Sequence, residues 1–331
     1  MTEIYRDRIV GPGAWMSAEI GGKEGLTRRF TADEIDAIDE LLARTAGIPV
    51  VNVTRQDFSH PVVDKMMGEV RTTLLEGRGA IILSGLDLNR YEPDGIERLY
   101  WGLGTHIGVA AAQSAAGDRI GYVKEADKSV NRGYQSSLEL SPHTDFHEVL
   151  GLMGIERAES GGLSGLASSL AIHNAIFESR PELLEPLYQG YHYGLLESVD
   201  APKPVSDRKV PVFSQVNGHV SCMCNGFFIR TAARRLGGSL PEDLASALEY
   251  FYAQATRPDL MANFMLERGD ILFWHNFTNL HSRTQFFNSH THTRLLLRLW
   301  LSMPDGRPMV PEYYDRGGLT LSHDRPAQRV A

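Results

Sequence analysis

The stretch Ser141-Pro142-His143-Thr144-Asp145 stands directly before an apolar run from Phe146 to Ile155. A short continuous apolar run followed by the turn signal Gly161-Gly162 predicts a buried strand. Residues i and i+2 of a strand, or at its end, point to the same side. We therefore expect the imidazole of His143 and the carboxylate of Asp145 to converge on one point, as two ligands of a metal ion would.

A third ligand must come from elsewhere, because a lone His-x-Asp pair occurs by chance in many proteins. His281 follows an apparent strand at Ile271 to Trp274 and is the best candidate, since arginines follow it at positions 294 and 298. His275 is its main competitor. Two histidines and one carboxylate would leave three positions of an octahedral metal open, which is typical of non-haem Fe(II) oxygenases.

Arg294 and Arg298 flank and interrupt an otherwise apolar, strand-like run that ends at Leu301. A buried guanidinium is unfavourable unless it is paired, and arginine binds carboxylates through paired hydrogen bonds. A dicarboxylate co-substrate would provide such a partner. Structural salt bridges with Asp or Glu would also do so, and the residues themselves leave both interpretations open.

Together these motifs resemble the taurine dioxygenase-like (TauD/TfdA) family of Fe(II)/2-oxoglutarate-dependent dioxygenases. The resemblance covers roughly residues 76–302 and rests on the order and spacing of several motifs. They are the glycine-bounded strand Gly79–Leu86, His143-x-Asp145, Gly161-Gly162-Leu163-Ser164, Gly269-Asp270, His281-Ser282-Arg283, and Arg294 with Arg298.

The resemblance implies that His143, Asp145 and His281 bind Fe(II), with 2-oxoglutarate as co-substrate and O2 as oxidant. Arg294 matches the arginine that binds the distal carboxylate of 2-oxoglutarate. Arg298 matches a second arginine near the metal, which contacts the proximal carboxylate or an anionic substrate.

Ser164 stands where the family usually has a threonine whose hydroxyl bonds the same distal carboxylate. The family usually has an acidic residue before that threonine, whereas this chain has Leu163. The hydroxyl is therefore kept although the local motif departs from the family pattern.

The implied activity is oxidation of an unactivated C–H bond of a small molecule, with release of succinate and CO2. Hydroxylation is the expected outcome, and desaturation and cyclisation are alternatives that use the same ligands. We expect an amino acid or small organic acid as substrate. Candidate substrate contacts are Arg298, Glu139, which could pair with an amine, and His147, which an alternating strand would place on the face of His143.

Two other functions stay open at this point. One is a jelly-roll protein that binds a small carboxylate without redox activity, and the other is a cupin-like metal-dependent isomerase or hydrolase. The sequence contains no GxSxG nucleophile motif and no P-loop or dinucleotide-binding glycine motif, so it gives no support to serine hydrolases or nucleotide-binding enzymes.

Composition limits the partners. The net charge of −8 at pH 7 disfavours nucleic acid. The N-terminus carries no apolar signal segment and no apolar run approaches the length of a membrane span, so we expect a cytoplasmic protein without membrane contact. The two cysteines, Cys222 and Cys224, are expected to be reduced. A homo-oligomer is compatible with the sequence.

The 32 glycines and 16 prolines favour many turns and hence a strand-rich fold. We expect a mainly β protein with helical decoration, and the resemblance implies a double-stranded β-helix (jelly roll) core flanked by helices. One domain is expected, with an N-terminal helical and strand region at about 1–79, the core at about 80–302 and a tail at 303–331.

Local patterns predict individual elements within this layout. Helices are predicted after the capping box at Thr31, over 62–76, from Pro93, over 169–189 with a break near Pro181, and over 241–255. Strands at 210–220 and 222–229 are predicted to pair around Asn217-Gly218. Residues 113–142 are predicted to be a long irregular segment.

Overall fold

The protein is represented by a computed structural model that describes residues 3–114, 117–125, 136–194, 205–303 and 305–314. Its helices are α1 (Ser17–Ile20), α2 (Lys23–Leu26), α3 (Ala32–Thr45), α4 (Pro61–Leu75), α5 (Pro93–Thr105), α6 (Ser169–Ser179), α7 (Leu184–Gln189), α8 (Gly226–Arg235) and α9 (Glu242–Ala255). Within the described ranges, none of them has both the length and the apolar character needed to cross a bilayer.

The strands are β1 (Thr27–Arg29), β2 (Ala80–Ser84), β3 (Val109–Ala110), β4 (Gly121–Val123), β5 (Leu140–His143), β6 (Val149–Glu156), β7 (Ser160–Gly161), β8 (Ser164–Ser168), β9 (Phe213–Val216), β10 (His219–Cys222), β11 (Met261–Phe264), β12 (Ile271–His275), β13 (Asn279–Arg283), β14 (Phe286–Phe287) and β15 (Leu295–Ser302). The chain is thus a mixture of sheets and helices.

Two sheets position the candidate site. The larger one has the strand order β1-β2-β12-β6-β15-β3, with β4 paired to β15. The smaller one has the order β11-β8-β13-β5. Because neighbouring strands come from distant parts of the chain, residues near positions 143, 165 and 281 become direct neighbours.

The larger sheet is apolar on both faces. Successive side chains along its strands belong alternately to two buried clusters. Ile81 and Phe273 belong to the cluster formed with helices α3, α4 and α5. Ile82 and Trp274 belong to the cluster that also contains Leu166 of the smaller sheet. This alternation follows from strand geometry, in which successive side chains point to opposite faces. The second cluster contains residues of both sheets and so lies between them.

The helices form largely where the sequence predicts them. Helix α3 begins with the predicted capping box, in which the Thr31 side chain and Glu34 bond each other's backbone N–H groups. The helix predicted over 169–189 is divided into α6 and α7, with a short 3-10 turn at Pro181–Leu183. Proline lacks an N–H donor and disfavours a helical residue before it, which explains the break.

Three predictions about local structure were wrong. The strand predicted from Phe146 starts at Val149, because residues 146–148 form a bend. The second strand of the predicted hairpin ends at Cys222, and α8 begins at Gly226 behind its N-cap Asn225, whose side chain accepts a bond from Phe227 N. The segment 113–142 is not wholly irregular, since β4 and the start of β5 lie within it.

The buried His173 in α6 predicts a pH dependence of stability. Its Nε2 lies 3.1 Å from the Tyr188 hydroxyl, and burial lowers its pKa from 6.5 to about 4. The unfolded chain therefore binds more protons than the folded chain between these values, so stability is lost as pH falls from 6.5 toward 4. We expect His173→Phe to reduce this loss by up to about 3 kcal/mol, measured by urea unfolding at pH 7 and pH 4.5. An unchanged pH dependence would contradict this assignment.

Candidate metal centre

His143 and His281 lie directly opposite each other on the antiparallel strands β5 and β13. Their ring centroids are 4.1 Å apart. One potential ligand atom from each of His143, Asp145 and His281 lies within 4.8 Å of the others. The structure therefore brings the three predicted side chains to one point. His281 stands within a strand rather than after one.

Asp145 lies just beyond β5, in a short loop that other parts of the chain hold in place. The side chain of Asn276 accepts a bond from Asp145 N at 3.0 Å and donates to the carbonyls of Asp145 and His147. Thr144 exchanges hydrogen bonds with the backbone of Cys224. Asn276 was missed by the sequence analysis, although it follows a predicted strand and is fully buried.

Hydrogen bonds orient His143 and Asp145 toward each other. His143 Nδ1–H donates to the Ser141 carbonyl at 2.8 Å, which leaves a lone pair on Nε2. That Nε2 atom lies 3.8 Å from Asp145 Oδ1. Asp145 Oδ2 accepts a bond from the indole of Trp300 at 3.0 Å. When one atom of a side chain binds a metal, a hydrogen bond to its other polar atom fixes the orientation of that side chain. For a histidine, the same bond also fixes the tautomer.

Electrostatics keep Asp145 and His281 in the forms that bind a cation. Burial alone would raise the pKa of Asp145, but the charges around it, including Arg298, and the hydrogen bond from Trp300 hold it below its usual value, so the carboxylate is ionised. Burial, with the neighbouring His143, lowers the pKa of His281 to about 3, so this imidazole is neutral. Its Nδ1 atom is buried without a hydrogen-bond partner among the described residues. A ferrous ion fits this donor set of two imidazoles and one carboxylate.

Arg294 stands at the start of β15 and is buried. Its guanidinium forms no ion pair or hydrogen bond with any side chain or carbonyl in the described ranges, and it lies 5.2 Å from the ring centre of Phe286. Burial, followed by the charge of Arg283, lowers its pKa to about 9. Arg294 therefore has no salt-bridge partner among the described residues, which disfavours the structural salt bridge considered above. An anionic ligand would stabilise its charge.

The glycine pair before β8 makes room for Arg294. Gly161 and Gly162 both have positive φ, and a Cβ at Gly162 would stand 3.1 Å from Arg294 Nε. Ser164, the first residue of β8, is buried and pairs with Arg283. Two residues further along, Leu166 pairs with His281. Ser164 therefore shares the sheet face of His281 and follows directly on the segment against which Arg294 packs.

Arg298 is buried, and it packs on Trp300, the residue that donates a hydrogen bond to Asp145. Its Nε–H donates to Gln113 Oε1 at 2.7 Å, and its guanidinium carbon lies 4.4 Å from the ring centre of Trp300. A Cβ at Gly121 would stand 2.4 Å from Gln113 Oε1, so a larger residue there would displace the Gln113 amide. Gln113 was not among the predicted site residues, and it lies in the segment predicted to be irregular.

The two remaining candidate substrate residues differ in their surroundings. Glu139 is exposed immediately before β5. His147 is buried, and its ring stacks on Trp300 at 5.2 Å between centroids. The prediction that His147 shares a strand face with His143 was wrong, because residues 144–148 form a loop. His275 is fully buried and is not part of the ligand cluster.

The chain is similar in sequence to two proteins over most of its length. It is 26% identical over 324 residues to "FR-33289 synthase" of Streptomyces rubellomurinus, covering 93% of this chain and 94% of the relative. It is 26% identical over 308 residues to "Taurine hydroxylase-like protein SAT17" of Stachybotrys chartarum, covering 86% of this chain and 77% of the relative.

Solved structures share the fold at lower identity. An asparagine oxygenase in complex with Fe(II), 2S,3S-3-hydroxyasparagine and succinate superposes with a TM-score of 0.67 at 14% identity, covering 84% of this chain and 93% of that one. The non-haem iron oxygenase OrfP in complex with Fe and α-ketoglutaric acid gives a TM-score of 0.61 at 16% identity, covering 83% and 94%.

Residues 45–300, which include all the candidate metal ligands and both arginines, match the family described as "Taurine catabolism dioxygenase TauD, TfdA family". This match spans more than half of the chain and agrees with the motif order read from the sequence. The protein belongs to the TauD/TfdA family of Fe(II)/2-oxoglutarate-dependent dioxygenases.

Proposed function

We propose that the protein oxidises an unactivated C–H bond of a small amino acid or organic acid, with hydroxylation as the outcome, and that His143, Asp145 and His281 hold the iron. The observation that carries the residue assignment is the approach of three ligand atoms within 4.8 Å of one another. Two imidazoles and one carboxylate would leave three coordination positions of an octahedral metal open for small ligands.

Family membership supplies the reaction class. The protein is a 2-oxoglutarate-dependent dioxygenase that uses Fe(II), 2-oxoglutarate and O2. When bound, Fe(II) supplies the activation of O2, whose two oxygen atoms enter succinate and the hydroxylated product as 2-oxoglutarate loses CO2. The protein's own residues bind and orient the reactants.

Arg294 is proposed to bind the distal carboxylate of 2-oxoglutarate, with the Ser164 hydroxyl as a second donor. The buried guanidinium without a counterion among the described residues supports this role, because a charge-assisted hydrogen bond to a carboxylate would offset its desolvation. Ser164 shares the face of His281 and adjoins the glycine pair that accommodates Arg294. The opposite end of 2-oxoglutarate would then lie toward the metal ligands.

Arg298 is proposed to bind a second carboxylate, either the proximal one of 2-oxoglutarate or that of the substrate. Its contact with Trp300, which is bonded to Asp145, supports this role. Glu139 is proposed to attract a substrate amine from its exposed position before β5, and His147 to border the substrate space. The asparagine oxygenase and OrfP structures contain hydroxyasparagine and arginine, respectively, which supports an amino acid as the first class to test.

The proposed architecture is a single domain with a double-stranded β-helix at about residues 80–302. The two sheets with an apolar cluster between them support it. Of residues 1–79, strand β1 joins the larger sheet, and the remainder would pack around the core. The predicted tail at 303–331 lies outside the described residues beyond position 314.

A screen for 2-oxoglutarate consumption tests the function. Purified protein with Fe(II) and ascorbate is incubated with amino acids, sulfonates and aryloxy acids, and succinate and product masses are measured. We expect succinate formation that requires Fe(II), with a product heavier by one oxygen atom. Loss of two hydrogen atoms would indicate desaturation or cyclisation instead. Zinc as the bound metal, with no dependence on 2-oxoglutarate, would contradict the proposal.

A further inference from the structure

The two carboxylate oxygens of Asp145 have different surroundings. Oδ1 lies 3.8 Å from His143 Nε2, the nitrogen that keeps its lone pair. Oδ2 accepts a hydrogen bond from the indole N–H of Trp300 at 3.0 Å. One oxygen is thus directed toward the candidate metal ligands, and the other already has a donor.

Trp300 is held firmly enough to fix this arrangement. It lies on β15 and belongs to the apolar cluster between the sheets, with 8% of its surface exposed. The Arg298 guanidinium packs over its ring at 4.4 Å, and the His147 ring stacks on it at 5.2 Å and 29°. Arg298 is itself bonded to Gln113. These contacts restrict the indole to the orientation that reaches Asp145.

We propose that Trp300 is a positioning residue that restricts Asp145 to binding iron through one oxygen, an inference that rests on the proposed function. Two imidazoles and one carboxylate oxygen would occupy three of six octahedral positions, and 2-oxoglutarate would occupy two more. One position then remains for O2. If Oδ2 also bound the iron, that last position would be lost.

Without the indole N–H, Oδ2 would be a charged acceptor with no donor in a largely buried site. Such an oxygen gains most by turning to the nearest cation, which in the loaded protein is the metal. Trp300→Phe keeps an aromatic ring under Arg298 and beside His147 but removes the donor. The variant is therefore expected to bind metal and 2-oxoglutarate yet to react poorly with O2.

Crystal structures of the Mn(II)- and 2-oxoglutarate-loaded protein test this directly. We expect one Asp145 oxygen on the metal in the wild type and both in Trp300→Phe. A wild type with both oxygens on the metal would overturn the inference without requiring any variant to fold. A variant that keeps a single metal–oxygen contact would also overturn it. A wild type that takes up no Mn(II) at His143 and Asp145 would overturn the proposed function itself.

Solution measurements separate positioning from general damage. In Trp300→Phe we expect turnover to fall about 10- to 100-fold, while the Kd values for Mn(II) and 2-oxoglutarate stay within about threefold of wild type, a change of under 1 kcal/mol. Trp101→Phe is the matched control. Trp101 lies in α5, outside the ligand cluster, and its buried indole donates to the Val53 carbonyl at 2.8 Å. Equal turnover losses in both variants, or loss of metal from Trp300→Phe, would contradict the inference.

Discussion

Alanine in place of His143 or Asp145 is expected to reduce 2-oxoglutarate turnover by at least about 1,000-fold, or about 4 kcal/mol of transition-state stabilisation. Each substitution removes one of three side chains whose ligand atoms lie within 4.8 Å of one another. Two remaining ligands would bind Fe(II) weakly and leave its position undefined. Succinate formation and the iron content of the purified protein measure the two consequences separately.

Controls for these variants come from residues of the same type that are not part of the ligand cluster. His292→Ala removes an exposed histidine that pairs with Glu159, and Asp259→Ala removes a partly exposed aspartate paired with Arg257. Both are expected to keep iron and turnover. Turnover retained in both His143→Ala and Asp145→Ala would eliminate the proposed iron centre.

The second large effect is expected for Arg294→Gln, which should weaken 2-oxoglutarate binding by roughly 10- to 100-fold. The buried guanidinium would lose its charge-assisted bonds to the distal carboxylate, while the three metal ligands stay in place. Iron content should therefore be unchanged and the KM for 2-oxoglutarate should rise.

A comparison of keto acids identifies the carboxylate as the group that Arg294 recognises. 2-Oxopentanoate has the same chain length as 2-oxoglutarate but lacks the distal carboxylate, so Arg294→Gln should hardly affect its binding. Arg157→Gln is the control, since it removes an exposed arginine paired with Glu267. An equal loss for both keto acids would show that Arg294 supports the site structurally, and no loss for either would remove it from the binding site.

The sequence predicts which three side chains come together, because their identities and order carry most of the information. His143-x-Asp145 is local, and His281 follows from its position before two arginines in an apolar run. Helices α3 and α4 follow from capping and periodicity. How these segments approach one another depends on the order of the strands in the sheets. Periodicity alone does not give that order, and the expectation came from the family resemblance.

The residues that support the ligands could not be predicted in the same way. Asn276, Gln113 and Trp300 form hydrogen bonds with Asp145, Arg298 and Asp145, which lie 131, 185 and 155 positions away in the chain. No local pattern encodes such a contact. His147 shows the converse problem, because a bend at 146–148 removes the strand alternation from which its orientation was inferred.

The pairing of His143 with His281 ties two strands that are 138 positions apart in the chain. A metal ion bound by both histidines would link a strand from the middle of the chain to one from its last third. Unfolding would then require release of the ion. Resistance to heat and to proteolysis would then increase with the concentration of available ferrous ion. Iron starvation would thereby reduce the amount of this protein as well as its activity.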